Sequence, residues 1–188
     1  MLGDRAINSP KDHETASKEP TEYFAYGSNM ASARLRERMP SAEPLGLATL
    51  RGHALRFHKR SKDGSAKCDA FATTDEDTEV VGVLFKFDPA QRGKLDRAEG
   101  VGHGYKACLI TVITEKGARG NVLSYFASPE AIDASLKPYT WYKDHVLAGA
   151  AEHRLRPDYV AINIQAIEAN EDLNRARDKL ERATQAVK

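Results

Sequence analysis

The sequence predicts an α+β fold: a small, largely antiparallel sheet with helices gathered at one side. Two observations carry this. Short apolar runs bounded by turn residues fill the first two thirds of the chain, mostly without helices between them. From residue 128 onward the pattern turns helical. Several short strands without obvious edge charges also permit a small closed barrel.

Residues 1–20 are polar, aperiodic and hold two prolines, which reads as a flexible leader. The first strand is the aromatic run Glu22-Tyr23-Phe24-Ala25-Tyr26. It stops at Gly27-Ser28-Asn29, turn and helix-cap residues, and the helix-like stretch MASARLRERM follows. Strand-like segments come next at 45–50, 52–58, 68–73 and 79–87. In the last of these, Val80, Val81, Val83, Leu84, Phe85 and Phe87 read as a buried strand. Asp88-Pro89 starts a helix, with a cap followed by proline at the first helical position, and Glu99-Gly100 ends it. Two strands follow at about 105–114 and 121–127. Ser128-Pro129-Glu130 and Pro157 start further helices, and Asn170 caps a last one. That last segment carries Leu173, Ala176, Leu180, Ala183 and Val187 at alternating spacings of three and four. Glu171 with Arg175, and Asp178 with Arg182, are helix-spaced ion pairs. So narrow a stripe suits docking on a neighbour, either sealing its own domain or pairing across a homodimer.

The chain has 188 residues, a single domain's worth. Lys and Arg total 28 against 27 Asp and Glu, which argues against a dedicated nucleic-acid or anionic-membrane protein. No apolar run approaches the roughly 18 residues of a membrane span. No export signal opens the chain. Its two cysteines, Cys68 and Cys108, make no disulfide framework and read as reduced thiols in a cytoplasm. Cys108, in an apolar run, reads as a core residue.

Three features could carry chemistry. The turn Tyr26-Gly27-Ser28-Asn29 combines a glycine, which lets a ligand approach the backbone, with the unpaired N–H groups of a helix start. Together they suit a carboxylate, a phosphate or a developing oxyanion. On the turn alone, a plain capped turn is the simpler reading. Ser28 lacks the Gly-x-Ser-x-Gly surroundings of a hydrolase elbow and reads as a capping or ligand-binding residue.

The second feature is LDRAEGV at 95–101. Asp96 is explained by Arg92 four residues earlier. Glu99 has no local partner and sits where the helix gives way to glycines and Tyr105. A carboxyl partly buried there without a charge partner would have a raised pKa, the condition for a general base near neutrality. An exposed glutamate at a helix end is the simpler reading of these residues alone. The neighbouring Gly-x-Gly-x-Gly follows a helix and lacks the dinucleotide spacing.

The third is RGHALRFHKRSK at 51–62, basic and without an acid. The acidic residues 75–79 nearby favour a solvated hairpin over an RNA-binding segment. His53 and His58 have no metal-ligand spacing, so no metal is expected.

Taken in order, YFAYGSNM at 23–30, LDRAEGV at 95–101, GHGY at 102–105, SYFAS at 124–128, and Tyr142 leading to Gly149-Ala150 and LRPDY at 155–159 resemble the gamma-glutamylcyclotransferase family. The resemblance runs from about residue 22 to 170, leaving 171–188 as a helical extension of a 21–170 catalytic domain. The first motif looks most like the gamma-glutamyl-amino-acid branch. The resemblance implies a small, mostly antiparallel barrel flanked by helices. It implies an enzyme that cyclises the glutamyl group of a small gamma-glutamyl substrate to 5-oxoproline, releasing an amine without metal or cofactor. By the same resemblance Glu99 matches the catalytic glutamate, Tyr26, Gly27, Ser28 and Asn29 the substrate-binding turn, and Tyr105, Tyr125 and Tyr142 the tyrosines around the pocket. The chain departs from the family's pattern in the basic segment after Phe57, in a strand VVGVLF without tryptophan, and in the C-terminal helix. A non-catalytic gamma-glutamyl or anion-binding module of the same fold is the alternative.

Overall fold

The aromatic run that opens the ordered sequence becomes the first strand of a closed barrel. The computed structural model describes residues 21–183; the expected leader at 1–20 and Val187 of the C-terminal stripe lie outside the described residues. The barrel strands are β1 (Thr21–Ala25), β2 (Glu43–Arg51), β5 (Glu79–Phe87), β6 (Tyr105–Thr114) and β7 (Gly117–Ala127), in the order β1-β5-β2-β6-β7. Four neighbouring pairs are antiparallel. A single parallel contact, Tyr23 with Leu123, closes β7 onto β1. The expected barrel is therefore present, with one parallel seam. Phe24, Val83, Phe85 and Leu123 are fully buried in its core, each contributing roughly 1.5–3 kcal/mol.

β3 (His53–Arg60) and β4 (Ala66–Ala72) form a separate antiparallel hairpin. Arg51, Arg56, Arg60 and Lys62 are exposed, as expected of a solvated basic segment. Lys59 departs from that expectation. A bulge between Phe57 and Lys59 shifts the register, and Lys59 is 8% exposed.

Helix α1 (Ser32–Arg38) follows β1, and α2 (Arg92–Glu99) follows β5. Asp88 accepts from the Ala90 N–H, and Gly100 takes the left-handed conformation that ends α2, both as the sequence predicts. The helix expected to start at Ser128 lasts a single turn, Pro129–Ala131, before the helical part resumes at Thr140. Residues 132–139 instead tie down the hairpin: Asp133 N donates to His58 O at 2.7 Å and Ala66 N to Lys137 O at 3.0 Å. α3 (Thr140–Glu152) and α4 (Pro157–Val160) follow.

The last helix, α5 (Arg175–Ala183), is capped by Asn174, whose side chain accepts from Arg177 N, and not by Asn170, whose backbone bridges Tyr139. Its apolar stripe does not seal the domain, because Leu173 and Leu180 are 86% and 68% exposed. Polar groups dock it instead. Arg182 reaches Asp144 at 2.6 Å and Thr140 at 2.7 Å, and Glu181 reaches Arg34 at 2.8 Å. Cys108 is exposed, contrary to the core assignment, because β6 packs chiefly against its strand neighbours β7 and β2.

α3 sets the position of the turn after β1. A Cβ at Gly149 would lie 2.5 Å from Ala31 N and 2.6 Å from Met30 C, so glycine is what lets the helix press on that turn. Gly149→Ala should cost about 3 kcal/mol, lowering Tm by roughly 6–12 °C in thermal unfolding. His145 lies under the α5 contact, its Nε2 3.2 Å from Arg34 Nη1. Burial and then the neighbouring Arg34 charge push its imidazole from 6.5 down to about 4. The unfolded imidazole binds a proton that the folded one refuses, so stability falls as pH drops from 6.5 toward about 4. Urea unfolding across that range should show the loss, and His145→Gln should flatten it.

Candidate active site

β1 leads straight into the turn that starts the site. Beyond Tyr26 and Gly27 the chain makes a 3-10 turn at Ser28–Met30, closed by Met30 N donating to Gly27 O at 3.0 Å, and then enters α1. A Cβ at Gly27 would lie 3.1 Å from Cys68 Cβ and 3.2 Å from the Tyr142 hydroxyl, so the turn is wedged against β4 and α3. Ser28 and Asn29 are buried.

Glu99, the last residue of α2, meets this turn. Asn29 Nδ2 donates to Glu99 Oε1 at 2.7 Å, and Arg38 Nη1 donates to the same oxygen at 3.0 Å. Arg38 Nη1 also donates to Asn29 Oδ1 at 2.9 Å, and Asn29 Nδ2 to the Tyr23 hydroxyl at 3.0 Å. The asparagine amide is thus held in one orientation. Oε2 of Glu99 accepts from no group among the described residues. Glu99 therefore does not lack a charge partner, as its local sequence suggested. The partner comes from the far end of α1, 61 residues earlier. The carboxylate side chain is 16% exposed.

A cavity of about 240 Å³ opens in front of Glu99. All eight residues singled out from the sequence line it: Tyr26, Gly27, Ser28, Asn29, Glu99, Tyr105, Tyr125 and Tyr142. The tyrosine hydroxyls are tied to the protein. Tyr26 donates to Tyr125 O, and Tyr105 to Cys68 O. Tyr125 donates to Asp96 Oδ1 at 2.7 Å, while the Tyr142 oxygen accepts from Cys68 N at 3.0 Å. Burial raises the pKa of all four phenols, so they stay neutral and serve as walls. Asp96, expected to pair with Arg92, does so at 3.7 Å and also accepts the hydrogen bond of the Tyr125 hydroxyl.

The sequence reading missed the charges that line the cavity. Lys67 donates to Asp63 and to Ser65, both at 2.8 Å, and lies 4.3 Å above the Trp141 ring. Arg34 reaches Glu181 of α5. Lys59 stands 4.6 Å from the Tyr105 ring centroid. Burial lowers the pKa of both lysines. Lys59 alone had a visible signal, its place in the basic run. Lys67 is brought in by the hairpin, Arg34 by α1 and Glu181 by α5.

Cys68 also lines the cavity, yet burial pushes its thiol up to about 12, and it acts as wall material, not as a nucleophile. Titration with a thiol reagent at pH 8 should count one reactive thiol per native chain, the exposed Cys108, and two after denaturation.

The AIG2-like family model matches residues 79–162, which run from β5 through α4. The human protein named gamma-glutamylcyclotransferase is 30% identical over 175 residues, covering 91% of each chain. The mouse protein of the same name is 31% identical over 180 residues, covering 94% of each. A solved structure named gamma-glutamyl cyclotransferase superposes with a TM-score of 0.78 at 28% identity, covering 89% of this chain and 99% of that one. With that likeness along nearly its whole length, and with the turn, the glutamate and the tyrosines gathered around one cavity, the chain belongs to the gamma-glutamylcyclotransferase family of enzymes.

Proposed function

We propose that the protein cyclises the glutamyl group of gamma-glutamyl amino acids or amines to 5-oxoproline and releases the free amino acid or amine, with Glu99 as general base and then general acid. The observation that supports this is the state of the Glu99 carboxylate. One oxygen is fixed by Asn29 and Arg38, and the other is uncommitted, at the wall of the cavity.

The chemistry needs such a group. The nucleophile is the substrate's own α-amine, which carries a proton at neutral pH and cannot attack until it loses one. Its nitrogen then bonds to the γ-carbonyl carbon, closing a five-membered ring, and the bond from that carbon to the amide nitrogen breaks. Between the starting ammonium and the departing ammonium, two protons cross from the attacking to the leaving nitrogen. One carboxylate within reach of both can carry them in turn, and neither water nor an outside acceptor is consumed. The γ-carbonyl becomes an oxyanion during attack. The N–H groups of the Gly27–Asn29 turn serve either that oxyanion or the α-carboxylate, and one such donor is worth on the order of 10²–10³ in rate. The tyrosine walls favour a curled glutamyl chain, with the amine about 3–3.5 Å from the carbonyl carbon.

Glu99→Gln keeps the shape and can still accept from Asn29, yet removes the proton carrier. Formation of 5-oxoproline should fall on the order of 10²–10⁴-fold. A folded variant with undiminished turnover would overturn the assignment.

A further inference from the structure

The two ends of the C-terminal segment are held very differently. Asp172, just before α5, is fully buried. It accepts from Trp141 Nε1 at 3.0 Å, from Asn174 N at 2.9 Å, and from Arg177 Nε and Nη2 at 2.6 and 2.7 Å. From there on no residue of α5 is buried, and its docking contacts are polar. At the far end Arg182 reaches Asp144 and Thr140, with the side chains of the ion pair more than a third exposed. Ion pairs so open to water hold weakly. An element anchored at one end and lightly tied at the other is a strap.

The remaining tie of the strap lies at the cavity. Glu181 and Arg34 both line it, as Glu99 does. Arg34 is more than nine-tenths buried, yet its guanidinium is only partly used. Nη1 alone donates to Glu181 Oε2, at 2.8 Å, and the buried Nε has no partner among the described residues. A guanidinium holds a carboxylate best through two parallel N–H bonds, so this one-bond contact leaves binding capacity unspent. The same Nη1 lies 3.2 Å from His145 Nε2, which in turn lies 3.0 Å from Glu181 O. One imidazole nitrogen can accept from Arg34 or donate to Glu181, but not both. The closed strap therefore sets its own polar groups in competition.

We propose that α5 is an autoinhibitory strap: its Glu181 carboxylate occupies Arg34 and gives way when a carboxylate of the incoming substrate takes its place. The assignment rests on the cyclisation reading above, in which every substrate carries at least the carboxylate of its glutamyl end. A carboxylate arriving through the cavity can turn both oxygens to Arg34, whereas the helix that carries Glu181 fixes its approach. The exchange also keeps the guanidinium paired. One anion leaves as another arrives, so the costly state, a buried cation without a partner, is avoided. While the strap is closed the binding-competent form is only a fraction of the whole, and apparent affinity is reduced by that fraction.

Arg182 does not line the cavity, so Arg182→Ala loosens the strap without touching the site. In hydrogen exchange on the full chain, without ligand, the amides of 175–183 should exchange at least about fivefold faster in this variant than in wild type, with β5 unchanged. With gamma-glutamyl-alanine as substrate, Arg182→Ala should lower KM about three- to tenfold and leave kcat within about twofold. Glu181→Gln, which keeps the helix and removes the charge, should lower KM likewise. In an Arg34→Met background, Arg182→Ala should leave KM unmoved, because the group that the strap masks is gone. Equal exchange rates in variant and wild type overturn the strap. A KM that rises or stays put when α5 is loosened overturns the autoinhibition, since the helix would then be a wall that binding needs or ignores. If wild-type enzyme makes no 5-oxoproline, the cyclisation reading fails and takes the exchange at Arg34 with it, while hydrogen exchange still decides whether α5 opens.

Discussion

Two donors converge on one oxygen of Glu99, and the geometry of the site follows from that point. Asn29 comes from the turn after β1, Arg38 from the end of α1 and Glu99 from the end of α2. Two segments far apart in sequence, the turn with α1 and the end of α2, are thereby locked to a common place. A carboxylate so little exposed needs such partners, because a buried charge without them carries a large desolvation penalty. The donors also divide the carboxylate into a held oxygen and an uncommitted one.

Around that point the parts serve distinct ends. The barrel holds β1 and therefore the turn, and α3 presses the turn into place through Gly149. The tyrosines, their hydroxyls engaged with backbone and Asp96, give a rigid, uncharged wall. The hairpin, α1 and α5 bring in the remaining charge. Glu99 and its two donors therefore sit beside the barrel, and Lys59, Asp63 and Lys67 reach the same cavity from the hairpin.

The strands, the turn and the first two helices were legible because their signals are local. Aromatic and β-branched runs, Asp88-Pro89 and Gly100 act over a few residues. The family resemblance supplied the site list, and all of those residues meet at one cavity. What the sequence hid was the pairing of distant charges. Nothing near Glu99 names Arg38, and nothing near Arg34 names Glu181. Lys59 was counted as one of a solvated cluster because a bulge cannot be read from alternation. Cys108 was misjudged for a related reason: apolar neighbours do not reveal that a barrel strand turns a side to water. The stretch 132–139 looked helical, but its backbone groups are engaged by the hairpin instead.

Closing β7 onto β1 has one more effect. A sheet with free margins presents rows of unpaired amides and carbonyls that can recruit a second chain and seed aggregates, and a closed barrel has no such margins. The β3–β4 ribbon keeps them, and it is guarded. Its strand is kinked at the bulge, and the bridge from Lys59 to Ile132 covers part of one flank. The irregularity that turns a lysine toward the cavity thus also makes this ribbon a poor template for self-association.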